Sequence, residues 1–164
     1  MSSQIIYTVG HSTRLRSELA SLLKHYNVDT LIDIRAIPYS RYNPQFNLET
    51  MITEFPKNGM TYEHLSSLGG EPPSREVMAQ AKSCSERSRG FATHMESEDF
   101  KRGLQYVLSL AASGKSVALM CGELRPEHCH RFQVADVVQA NGWDVQHIVS
   151  ETDLRHHPAN LFTY

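Results

Sequence analysis

Apolar residues along the chain fall into two kinds of run. Short continuous or β-branched runs at Ile5–Val9, Thr30–Ile34, Val117–Met120 and Val145–Val149 predict strands, with a weaker one at Thr61–Leu65. Between them the apolar spacing becomes helical. Leu15, Leu19, Leu22 and Leu23 share one face of a helix from about Ser17 to Tyr26. Phe100, Leu104, Val107, Leu108 and Ala111 form a second stripe, ended by Gly114. Phe132, Ala135, Val138 and Gln139 lie on a third helix, ended at Asn141 and Gly142, and Asn47 is placed to cap a fourth running to Phe55.

Strands alternating with helices predict an α/β fold: a single three-layer domain with a mostly parallel central sheet of about five strands. "TLID" and "VALM" are apolar throughout, as interior strands of such a sheet require. The polar stretch 69–91 interrupts the alternation. It reads as a solvated connection or as a flap over a site, because long irregular insertions in compact domains are often functional.

Composition narrows the function classes. The 164 residues suit one domain, and 40% apolar with 21% charged residues is ordinary for a globular protein. A net charge of −2 argues against coating nucleic acid by bulk electrostatics, although a local basic site is compatible with it. No apolar run approaches the roughly 20 residues needed to cross a bilayer. The start, "MSSQIIYTVG", lacks the pattern of a signal peptide. Three cysteines without secretory features predict reduced thiols and a cytoplasmic location.

Ligands of open parallel sheets sit at the carboxyl ends of the strands. The first strand leads into Gly10, His11, Ser12 and Arg14; the second leads into Asp33, Arg35, Tyr39, Ser40, Arg41, Tyr42 and Asn43. After Val117–Met120 comes "CGELRPEHCHR", with Cys121, Glu123, Arg125, His128, Cys129, His130 and Arg131, and after Val145–Val149 comes "SETDLRHHP". Plain solvation would favour Lys, Glu and Ser, whereas these loops favour Arg, His, Tyr and Cys. They predict one convergent polar site.

"YTVGHS", "LIDIRAIPYSRYNPQFN", "YEHLSSLGG", "GFATHM" and "VALMCGE" followed by "CHR" resemble, in order and through nearly the whole chain, the Domain of Unknown Function 488 family. The resemblance implies a soluble α/β domain of the bacterial and archaeal type and supplies motif positions, but no reaction. "LIDIR" with a later cysteine is also weakly similar to rhodanese domains. There the cysteine opens a short tight loop, whereas Cys121 and Arg131 are ten positions apart here.

Three chemistries fit the cysteine loop. In the first, Cys121 is a nucleophilic or redox thiol, assisted by Glu123 as general base, with Arg125, Arg131 and the following helix start favouring the thiolate. The ligand is then a phosphorylated or nucleotide-like anion bound by Arg14, Arg35, Arg41, Arg125, His130 and Arg131. The five-residue cysteine-to-arginine spacing of thiol phosphatases is absent, since position 127 is Glu127. In the second, the chain is a non-catalytic anion or nucleic-acid binding module, with arginine forks on phosphates and the interleaved Tyr39, Tyr42 and Phe46 stacking on bases. In the third, it is a metal-dependent hydrolase with Cys121, His128 and Cys129 as weak candidate ligands; the spacing is not that of familiar zinc sites. Cys129 is expected to pack helix against sheet, Cys84 to be incidental, and His147 to be a satisfied core histidine. His156 and His157 lie in a tail that folds over the site or stays loose. Substrate, cofactor and oligomeric state have no signature in the sequence.

Overall fold

The computed structural model of the protein describes residues 4–69, 91 and 93–159, without the side chain of His128. The expected insertion lies outside the described residues between 70 and 90, and Cys84 with it. The chain runs β1 (Ile5–Gly10), α1 (Arg16–His25), β2 (Thr30–Asp33), α2 (Leu48–Glu54), β3 (Thr61–His64), α3 (Glu98–Ala112), β4 (Val117–Cys121), α4 (Arg131–Ala140), β5 (Asp144–Ile148) and β6 (Leu154–His156). One six-stranded sheet has the order β3-β2-β4-β1-β5-β6. Its first five strands are parallel and β6 is antiparallel to β5.

Alternation along the strands divides the core into two layers. Val9, Leu31, Ala118, Met120 and Ile148 face α1 and α2, where Leu19, Leu23, Met51 and Phe55 are buried. Ile6, Ile32, Val117, Leu119 and Val145 face α3 and α4, covered by Phe100, Leu104, Val107, Val134 and Val138. Gly114 (φ 102°) and Gly142 (φ 93°) follow α3 and α4 in the left-handed region that favours glycine at helix ends. Trp143 packs against the α3/α4 layer.

Two details depart from the sequence expectation. A sixth strand, β6, lies in the segment read as a loop. Asn47 stands at the start of α2, but its Oδ1 accepts from the Ser40 amide (2.7 Å) rather than from the helix. It ties the 36–43 loop to α2.

The order of the strands also fixes a reversal of direction in the sheet. From β1 the chain moves toward β2 and β3 under α1 and α2; from β4 it moves toward β5 under α4. The direction therefore reverses between neighbouring β1 and β4, and the topological switch point lies beyond their carboxyl ends.

Candidate functional site

At this switch point the strands end level. Gly10 pairs with Cys121, and the ladder continues past both ends through His11 N to Cys121 O (2.9 Å) and Ser12 N to Gly122 O (3.0 Å). On the other side of β4, Ile34 N donates to Met120 O (2.9 Å). Three distant segments, 10–12, 33–35 and 120–122, are thereby fixed side by side. A side chain at Gly10 would place its Cβ 1.7 Å from the Glu123 carbonyl oxygen, so only glycine lets the cysteine loop cross there.

The first cluster is Asp33, Arg35, Tyr62 and His11. Asp33 is wholly buried. It accepts from Arg35 Nε (2.9 Å), Arg35 Nη2 (2.6 Å), the Arg35 amide (3.1 Å) and the Tyr62 hydroxyl (2.5 Å). Arg35 Nη2 also donates to Phe46 O (2.6 Å) and Nη1 to His11 Nε2 (3.2 Å). His11 Nδ1–H donates to Ser12 O (2.8 Å), and its ring stacks on Phe46 at 4.4 Å. Burial, partly countered by the Ser12 carbonyl and reinforced by Arg35, lowers the His11 pKa to about 4. The imidazole is thus neutral, with Nε2 as acceptor. Burial and the neighbouring Asp33 carboxylate push the Tyr62 phenol far above its ordinary range, so it stays a donor.

The second cluster is built on Arg131, which is 0% exposed at the start of α4. Its Nη1 donates to Cys121 Sγ (2.6 Å) and Glu123 O (2.6 Å), its Nη2 to Leu124 O (3.0 Å) and its Nε to Thr8 Oγ1 (3.2 Å). Among the described residues no ion pair involves it. An uncompensated buried charge costs several kcal/mol. The groups at hand that can supply negative charge are sulfurs.

Cys121 is 1% exposed, while Cys129 is half-buried. The two thiols lie close enough for each to shift the titration of the other, and the Arg131 backbone N–H acts on Cys129 in the same way. Burial and the interaction with Cys129 raise the Cys121 thiol; the same interaction, helped by Arg131, lowers Cys129. The two thiols are thus pulled in opposite directions, Cys121 upward and Cys129 downward. His130 stands beside them, its Nδ1 3.5 Å from Cys129 Sγ and its Nε2–H on Ile34 O (2.9 Å). That carbonyl fixes the tautomer and leaves Nδ1 facing the sulfur, the relation of a base to an activated nucleophile.

A family model described as Domain of unknown function DUF488 matches residues 15–138, more than half of the chain. The chain belongs to this family. Comparison with curated proteins and with solved structures returned no match. The matched part of the DUF488 protein contains both cysteines of the site, Asp33, Arg35 and Arg131, while Gly10 and His11 precede it.

Not every expected residue joins the site. Tyr39 (68% exposed), Arg41 and Tyr42 (88% exposed) point into solvent, as does Arg125. Ser40 Oγ accepts from the Asn43 amide (3.0 Å), which shapes the loop itself. Arg14 is half-buried and donates to Gly10 O (3.4 Å) and Val149 O. Glu123 is exposed and reaches the cluster through its carbonyl. Among the described residues no group of three or more His, Cys, Asp or Glu side chains is arranged to hold a metal ion.

In the DUF488 protein a relay of side chains adjoins Arg131 whose linkage carries no signal in the sequence. Thr8 Oγ1 contacts His147 Nδ1 (2.5 Å), His147 Nε2 contacts His157 Nδ1 (2.8 Å), and His157 Nε2 contacts Asp136 Oδ1 (2.6 Å). Burial, with the charges of His157 and Arg131, lowers the His147 pKa to about 3, so it is neutral. One ordering of donors satisfies every link: Arg131 to Thr8, Thr8 to His147, His147 to His157, His157 to Asp136. Through this relay Arg131 is linked to the Asp136 carboxylate by three intermediaries. His147 is the satisfied core histidine the sequence suggested, and the tail folds back so that His157 is buried.

Proposed function

We propose that the protein is a thiol-dependent enzyme acting on a small phosphorylated or nucleotide-like anion at the β1/β4 switch point, with Cys129 as nucleophile. The observation that carries this reading is the wholly buried Arg131, whose guanidinium meets Cys121 and whose amide meets Cys129, with no ion pair among the described residues. Its charge favours a thiolate and, beyond it, an anionic substrate. Cys121, the nucleophile expected from its place at the strand end, holds the proton in this scheme. His130 takes the role first assigned to Glu123. His11, Arg35 and Asp33 form the rigid wall beside Gly122, whose missing Cβ would lie 3.5 Å from His11 Nε2.

The test is turnover of a panel of phosphate monoesters and nucleoside mono- and diphosphates followed by ³¹P NMR, together with protection of Cys129 from iodoacetamide by inorganic phosphate or adenosine monophosphate. Turnover lost in Cys129→Ser is expected. Absence of both turnover and protection overturns the proposal. The exposed Arg41 between exposed Tyr39 and Tyr42 supports a second reading, a binding module for single-stranded nucleic acid or another anion. Salt-sensitive oligonucleotide affinity that is lost in Arg41→Ala, without turnover, would favour it.

A further inference from the structure

Cys121 and Cys129 differ in a way that a single nucleophile does not require. Eight positions apart, they come from different elements, the end of β4 and the turn before α4, yet their sulfurs are close enough to act on one another. One is sealed from solvent and one is half-buried. The half-buried sulfur is the one a small disulfide can reach, and His130 Nδ1 stands 3.5 Å from it. The sealed sulfur has the Arg131 guanidinium against it, ready to favour a second thiolate once the first has reacted. That is the division of labour between an attacking and a resolving thiol.

We propose that Cys129 and Cys121 carry out thiol–disulfide exchange with low-molecular-weight disulfides, so that the site cycles between a dithiol and an internal disulfide. The Cys129 thiolate attacks one sulfur of the small disulfide; its S–S bond breaks, one small thiolate leaves, and a mixed disulfide forms at Cys129. The Cys121 thiol attacks the Cys129 sulfur and gives up its proton to His130 Nδ1, which stands 3.5 Å from that sulfur. The second small thiolate leaves and takes up a proton. Two protein thiols are oxidised by two electrons and one small disulfide is reduced to two small thiols. This activity rests on the same acidic Cys129 as the proposed function, but needs no anionic substrate. It also implies that oxidation silences the nucleophile and that small thiols restore it.

The experiment uses the full chain carrying Cys84→Ser, so that only the paired thiols react. Incubation with glutathione disulfide, acid quenching and mass spectrometry should show the loss of two hydrogens with no glutathione attached. Adding Cys121→Ser should trap one glutathione at Cys129; adding Cys129→Ser should slow the reaction about 100-fold. Circular dichroism melts control for folding, and a quenched time course with peptide mapping of the Cys84→Ser protein identifies the first sulfur modified without either site variant. Equal reactivity of both cysteines, first modification at Cys121, or a mixed disulfide that never resolves overturns the proposal. The phosphate-ester assay, run on reduced protein, separates this failure from failure of the proposed function.

Discussion

Replacing Asp33 by Asn keeps the shape of the side chain but removes the charge that compensates Arg35. The carboxylate is wholly buried and accepts four hydrogen bonds, three from Arg35 and one from Tyr62. An amide must turn its NH₂ toward one of those donors, and it leaves the guanidinium buried without a counter-ion. Breaking a buried pair in this way costs about 3–5 kcal/mol. For a chain of this size each kcal/mol lowers Tm by roughly 2–4 °C, so Asp33→Asn should melt about 6–20 °C below the parent. Urea denaturation of the two single variants, Asp33→Asn and Arg35→Met, and of the double variant completes a mutant cycle. Each single change strands one charge, whereas the double change strands none, so the double should fall short of the sum by about 2 kcal/mol. A loss under about 1 kcal/mol in Asp33→Asn, or strict additivity in the cycle, would refute the reasoning that this pair is desolvated and mutually dependent.

Two further outcomes follow from the same geometry. Gly10→Ala should cost about 1–3 kcal/mol, since the added methyl meets the Glu123 carbonyl that also holds Arg131, and it should slow alkylation of Cys129; a variant with parental Tm and thiol reactivity would contradict it. His11 and His147 have folded pKa values of about 4 and about 3, below the ordinary 6.5, so below that value the unfolded chain binds protons that the folded chain does not. Their contribution is complete above pH 6.5 and is lost as pH falls toward 4, at about 1.4 kcal/mol per pH unit for each histidine. Urea melts across this window should show that slope, and His147→Gln should make it shallower; an unchanged slope would mean that His147 is protonated in the native protein.

The layered α/β plan was legible because apolar periodicity is local: the runs at Ile5, Thr30, Val117 and Val145 each declare a strand without reference to anything distant. The convergence of His11, Arg35, Cys121 and Arg131 was legible one step further on, since parallel strands bring the loops that follow them to one edge. β6 escaped because Leu154–His156 is short and polar, as befits an edge strand. The relay escaped for a different reason. Thr8 and His147 are 139 positions apart, and a threonine inside an apolar strand looks like any β-branched residue until its partner is known. The ranking of the two thiols was equally hidden. Position at a strand end pointed to Cys121, whereas burial and the Arg131 amide, both tertiary facts, favour Cys129.

The proposal stands or falls on a buried Arg131, with no ion pair among the described residues, making a thiolate at Cys129. Its most direct test is the rate of Cys129 alkylation as a function of pH in the Cys84→Ser protein, with and without Arg131→Met. The expected midpoint lies below the ordinary thiol value of about 8.5 and moves upward when the guanidinium is removed. A midpoint at or above that value, unmoved by Arg131→Met, would contradict it.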